Sequence, residues 1–124
     1  DALAKGIHAG ATLIVVAPCC HKEIRPQIVP PPVLLPGLRH GILLEREAEF
    51  VTDALRAALL ECAGYEPRVM EFISPEHTSK NLMIVGIKQA GRVNAQGRTR
   101  VQELARFYGI REQRLAHRLG ISLI

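Results

Sequence analysis

Residues 43–64, LLEREAEFVTDALRAALLECAG, constrain the fold more than any other stretch of the chain. Their apolar residues recur at helical spacing and Gly64 stands where the pattern stops, so the segment predicts one long amphipathic helix. The apolar positions are Leu44, Ala48, Val51, Leu55, Ala58 and Leu59. A helix with one apolar face has to pack against another layer of structure. The sequence therefore predicts an α/β fold in which this helix lies against a sheet.

Three further segments predict the strands of that sheet. ATLIVVAP, residues 11–18, is a continuous apolar run, which is typical of an interior parallel strand that is buried on both faces. YEPRVMEFIS, residues 65–74, and NLMIVGIK, residues 81–88, predict two more strands. Only PEHTSK separates these two, which is too short for a helical crossover. We therefore expect them to be antiparallel neighbours.

The remaining segments predict helices and one long loop. DALAKGIHAG, residues 1–10, indicates a short helix with Asp1 as its N-cap. VPPPVLLPG, residues 29–37, indicates a stiff, extended loop without regular structure. AQGRTRVQELARFY and REQRLAHRL indicate two C-terminal helices separated by Gly109. We therefore divide the chain into an α/β part, residues 1–90, and a basic helical tail packed on it, residues 91–124.

Charge and cysteine content limit the class of protein. The formal charge of +4 suits a polyanion such as RNA, although an ordinary solvated surface would account for it as well. Three cysteines, two of them adjacent, do not make a disulfide framework and favour reduced thiols in the cytoplasm. No apolar run approaches the roughly 18 residues that span a membrane, so we expect no membrane partner.

Polar side chains follow or precede the predicted strands at what would be one rim of the sheet. Ligands of open α/β sheets bind at the carboxyl ends of the parallel strands. His21 and His77 follow two such ends and are our candidate general bases. The predicted pocket-lining residues are Cys19, Cys20, Arg39, His40, Thr78, Lys80 and Asn81.

The Cys19-Cys20-His21 cluster leaves several alternatives open. A cysteine of the pair could fill the core, because cysteine is among the most buried residue types. A nucleophilic cysteine would fit methylation at pyrimidine C5. A zinc site needs about four ligands, and directly adjacent ligands fit its tetrahedral geometry poorly, so we expect no metal here.

Three motifs in sequence order resemble a known family. VVAPCCHKEIRPQI, LRHGILLEREAEFVTDALRAALLE and FISPEHTSKNLMIVGIK are similar to the C-terminal half of class I, Rossmann-like S-adenosylmethionine-dependent methyltransferases that carry a strand-ending Pro-Cys-Cys-His. These are bacterial proteins, and the likeness extends distantly to a eukaryotic tRNA ribose methyltransferase family. It covers roughly residues 1–88. The resemblance implies a partial Rossmann-like sheet. At its end a helix is followed by a strand, and a last strand is inserted antiparallel beside that strand. C-terminal helices follow in this chain.

The resemblance also implies S-adenosylmethionine as cofactor. It leaves the methyl acceptor open among RNA, protein and small molecules. The family's glycine-rich cofactor loop would precede Asp1. We expect neither GIHAG nor GRVNAQG to lie between a strand and a helix as that loop does. The chain would then be part of a catalytic domain, inactive alone, and its open sheet edge could pair with a second copy in a homodimer.

The tail supports an alternative function. VQELARFYGIREQRLAHRL places Ala105, Gly109 and Leu115 at the spacing of a helix-turn-helix, with arginines around them. This pattern predicts a non-enzymatic nucleic-acid-binding module.

Overall fold

A three-stranded antiparallel sheet forms the centre of the fold. The computed structural model describes residues 1–18, 21–72, 81–90 and 94–124. Its strands are β1 (Leu13–Val16), β2 (Tyr65–Glu71) and β3 (Leu82–Lys88), in the order β1-β3-β2. The predicted antiparallel pairing of β2 with β3 is confirmed. Since β3 is antiparallel to both of its neighbours, β1 and β2 run in the same direction.

The described part of the chain also has five helices: α1 (Ala2–His8), α2 (Leu35–Leu38), α3 (Gly41–Cys62), α4 (Gly97–Tyr108) and α5 (Arg114–Arg118). The predicted cap of α1 is confirmed, because the Asp1 carboxylate accepts hydrogen bonds from the backbone N–H groups of Leu3 and Ala4, at 3.0 and 3.4 Å. The long helix and the first C-terminal helix also lie where the sequence predicts them, whereas the last helix is shorter than REQRLAHRL predicts, because it begins only at Arg114.

The proline-rich segment is more regular than its composition suggests. We expected an extended loop over residues 29–37, but Pro32–Leu34 forms a 3₁₀ turn that leads into α2. Pro32 and Pro36 both stand in the first turn of their helices. The missing N–H of proline has no intrahelical acceptor at those positions, so it costs no hydrogen bond there.

The main core lies between α3 and one face of the sheet. The apolar side chains that α3 buries are those of Ala48, Val51, Leu55, Leu59 and Leu60. Gly86 lies in the central strand, and a Cβ atom added to it would stand 3.2 Å from Cδ2 of Leu60 and 3.4 Å from Cδ1 of Tyr65. The absence of a side chain at Gly86 therefore lets α3 approach the middle of the sheet closely.

β1 differs from its prediction. We expected an interior parallel strand that is buried on both faces, but β1 pairs antiparallel with β3, and Leu13 and Val15 are 59 % and 53 % exposed. Ile14, between them, points to the other face and is buried against α1. In the described residues, α1 and α3 pack on the Ile14 face, which leaves the Leu13 and Val15 face open to solvent.

The C-terminal helices share the core of the sheet layer. Val101, Ala105, Tyr108 and Leu115 belong to the same cluster of buried side chains as the apolar face of α3. Gly109 ends α4 with φ of +73°. In the described part of the chain, no helix is long and apolar enough to cross a membrane.

Hydrogen bonds of Gln27 and Glu23 join the segment after β1 to this C-terminal region. The side-chain amide of Gln27 donates to the carbonyl oxygens of Glu23 and Glu112, at 3.0 and 2.9 Å. Its oxygen accepts from the backbone N–H groups of Arg111 and Glu112, at 3.0 Å each. The Glu23 carboxylate accepts a further bond from the backbone N–H of Arg114, at 2.7 Å.

Candidate functional site

A cleft of about 470 Å³ opens between α3 and the ends of the strands. Pro18 follows β1, Val69 and Glu71 lie in the second half of β2, and Asn81 and Leu82 lie at the start of β3. These residues come together because β3 is antiparallel to β2, so its amino end lies beside the carboxyl end of β2. The described strand ends therefore form one side of a cleft.

The other wall of the cleft is one stripe of α3. Its members recur three or four residues apart and therefore share one side of the helix. They are Arg46, Glu49, Phe50, Asp53, Ala54 and Ala57. This stripe adjoins the buried apolar face, so the same helix both builds the core and presents polar groups to the cleft.

A histidine–aspartate pair lies in the cleft. Nε2 of His21 lies 3.1 Å from Oδ2 of Asp53, and Nη1 of Arg56 lies 2.8 Å from Oδ1 of the same carboxylate. The three side chains are 8 %, 13 % and 15 % exposed, respectively. An ionised carboxylate only accepts hydrogen bonds, so the proton of a neutral His21 stands on Nε2 and the lone pair on Nδ1.

Nδ1 of His21 is buried and has no hydrogen-bond partner among the described residues. A buried polar atom without a partner is uncommon, and such groups are often found at functional sites. A carboxylate that holds one nitrogen of an imidazole fixes its tautomer and stabilises the imidazolium that forms when the other nitrogen takes up a proton. The pair can therefore act as a general base, with His21 taking up the proton and Asp53 positioning it.

Three charged side chains of the cleft have no ion-pair partner in the described ranges. Arg46 and Glu71 are exposed and Glu49 is half-buried, and none of them belongs to an ion pair there. As far as the described residues go, two carboxylates and one guanidinium are available to a ligand.

The structure brings together two of the residues that the sequence predicted for this site, His21 and Asn81. Arg39 and His40 are exposed at the start of α3 and do not line the cleft. The other predicted residues lie outside the described part of the chain: Cys19, Cys20, His77, Thr78 and Lys80.

Sequence reasoning missed the contribution of α3. It used the helix only for its apolar face, whereas Asp53 and Phe50 come from the neighbouring stripe. The available signal was the spacing of Asp53, which lies seven residues after Arg46 and four after Glu49. This spacing puts the three side chains on one side of the helix, next to its buried face. Nothing in the local pattern paired Asp53 with His21, which is 32 residues away in the chain.

One glycine segment also differs from its prediction. GRVNAQG, residues 91–97, does lie between a strand and a helix, since β3 ends at Lys88 and α4 begins at Gly97. Because β3 runs opposite to β1 and β2, its last residue, Lys88, is at the far end of the sheet from the cleft. A Cβ atom on Gly97 would stand 2.9 Å from Sγ of Cys62, so this glycine allows α4 to pack on α3.

In the ranges that the structure describes, no group of three or more His, Cys, Asp or Glu residues could hold a metal ion. Burial raises the pKa of the Cys62 thiol, which makes this cysteine a poor nucleophile. Comparisons with protein-family models, with curated proteins and with solved structures found no match to this chain.

Proposed function

We propose that the chain is the C-terminal part of a Rossmann-like S-adenosylmethionine-dependent methyltransferase that acts on RNA in the cytoplasm. The strand order carries the proposal. A long helix and a strand follow β1, and β3 is inserted antiparallel between β1 and β2. The resemblance of the three sequence motifs implies a helix, a strand and a last antiparallel strand beside it, and the order and pairing of α3, β2 and β3 support this part of the proposal.

The cleft supports the same proposal from its chemistry. It lies at the carboxyl ends of β1 and β2, which is where open α/β sheets bind their ligands. The bound cofactor would supply the methyl group. The described residues offer no glycine-rich turn at this end of the sheet to hold it, so the proposal assigns cofactor binding to residues that precede Asp1.

The residues of this chain would orient the acceptor and remove its proton. Methyltransferases work largely by positioning, and they need a base only where the acceptor loses a proton. His21 would be that base through Nδ1, and Asp53 would hold the imidazole in the tautomer that leaves Nδ1 unprotonated.

The experiment is calorimetric titration of S-adenosylhomocysteine into the full-length gene product, with the 124-residue chain as control. We expect binding to the full-length protein and none to the shorter chain. If the folded full-length protein does not bind S-adenosylhomocysteine, the proposal is wrong. The chain would then have only a sheet similar to that of the methyltransferases.

The nucleic-acid-binding alternative stays a prediction. α5 has five residues, and two of them, Leu115 and Ala116, are buried. A helix this short presents little surface to a DNA groove, so the described residues favour the cleft over the tail as the site of function.

A further inference from the structure

Phe50 presents a large aromatic side chain to the cleft. It lines the cleft and is 61 % exposed. Ala54 and Ala57, further along the same wall, have short side chains and leave space beside the ring. An exposed aromatic ring in a cleft is a flat surface on which a planar ligand can stack.

Hydrogen-bonding groups line the same cleft. Glu49 and Glu71 carry carboxylates without an ion-pair partner among the described residues, and Asn81 adds an amide. Carboxylates accept hydrogen bonds from the amino group of a nucleobase, and an amide can both donate and accept. A ribose hydroxyl would use these polar groups but would leave the ring of Phe50 without a function.

Size and charge fit one nucleotide. The volume of about 470 Å³ lies within the range of about 300–1,000 Å³ that small-ligand sites usually have. Arg46 lines the cleft, is exposed and has no ion-pair partner in the described ranges, so it can contact a phosphate group. A base inside a duplex is stacked and paired, so only an unpaired base could enter.

We infer that the cleft binds one unpaired nucleobase of RNA, which stacks on Phe50 and directs its polar edge to Glu49, Glu71 and Asn81. The inference rests on the proposed function, because it names the acceptor as a base rather than a ribose. His21 lines the same cleft, so it would lie beside the bound base.

The test is fluorescence anisotropy with the 124-residue chain and a labelled single-stranded RNA of about ten nucleotides. A second RNA has the same length and the same phosphates but lacks its bases. We expect the RNA without bases to bind about tenfold more weakly or worse, which is the usual contribution of stacking on an aromatic side chain.

Variants of the chain locate the effect. Phe50→Leu should weaken binding of the normal RNA about tenfold, and Phe50→Tyr should restore it to within about twofold because tyrosine keeps the ring. The matched control is Phe107→Leu, which removes another exposed ring, 53 % accessible, from α4 and should leave binding unchanged. Circular dichroism of each variant verifies that it is folded.

Three results would overturn the inference. They are equal binding of the two RNAs, equal loss in the Phe50 and Phe107 variants, and no binding of RNA to the folded chain. The assay contains no cofactor, so it is independent of the titration with S-adenosylhomocysteine. Cofactor binding by the full-length protein together with any of these three results would leave the methyltransferase proposal standing and reject the nucleobase.

Discussion

Replacing Asp53 with asparagine should move a proton within His21. Oδ1 of Asp53 accepts from Arg56 and Oδ2 accepts from Nε2 of His21. An asparagine has one oxygen, and a guanidinium can only donate, so we expect the oxygen to stay on Arg56 and the amide nitrogen to face His21. Because that nitrogen donates, Nε2 would have to accept, and the proton of the imidazole would move to Nδ1. The lone pair that could remove a proton from a substrate would be lost.

The size of the effect on stability follows from the same contacts. Each bond to the carboxylate is charge-assisted and contributes about 1.5–3 kcal/mol, against about 0.5–1.5 kcal/mol for a neutral bond. Two weakened bonds amount to about 2 kcal/mol. A chain of 124 residues has an unfolding entropy of about 0.26 kcal/mol/K, so the thermal midpoint should fall by about 8 °C.

Nitrogen-15 spectra of the imidazole side chains measure the tautomer, with His21→Gln to assign the signals, and a calorimetric melt measures the stability. Glu49→Gln is the matched control, because it makes the same chemical change on the same wall of the cleft, where the carboxylate has no ion-pair partner in the described chain. We expect it to shift the midpoint by less than about 2 °C. If His21 in Asp53→Asn keeps its proton on Nε2, the positioning role of Asp53 is refuted.

Three further perturbations test other parts of the fold. Burial and the hydrogen bond to Glu47 raise the pKa of Tyr108 to about 12. The neutral hydroxyl therefore stabilises the fold, and this contribution should decline as pH rises from about 10 to 12. Urea melts across this pH range should show the decline, and the Tyr108→Phe variant should lack it. Gly97→Ala would place a Cβ atom 2.9 Å from Sγ of Cys62 and should cost about 1–3 kcal/mol in a urea melt, whereas Thr99→Ala on the exposed side of α4 should change little. Light scattering should show that the chain self-associates as its concentration rises, through the open edge of β1. Val15→Lys should reduce the self-association, because a charge on an edge strand opposes pairing. A wild-type chain that stays monomeric would contradict the expectation.

Local sequence patterns were sufficient to predict most of the helices and strands. The spacing of apolar residues in α3 and the short link between β2 and β3 determine a helix and an antiparallel pair before any tertiary contact is considered. The burial of β1 was not predictable in this way, because an apolar run does not show which faces other elements cover. Leu13 and Val15 look like core residues in the sequence and are exposed in the fold.

The candidate site was predictable only from the strand ends. His21 and Asn81 could be placed at one rim because topology brings strand ends together. The α3 wall depends on how the helix is rotated over the sheet, and rotation follows from packing contacts such as that of Leu60 with Gly86. Asp53 and Phe50 therefore became visible only in three dimensions.

The hydrogen bonds of Gln27 have a consequence for deletion mapping. They join the segment that carries His21 to Arg111 and Glu112, just before α5. The C-terminal residues therefore support this segment from outside the cleft. A truncated protein that lacks these residues would lose this support as well as its arginines. Because truncation would also remove buried core residues such as Leu115, a loss of activity would not show whether the removed arginines touch RNA. Replacing Gln27 alone, with every arginine kept, is the change that separates a mechanical support from a binding surface.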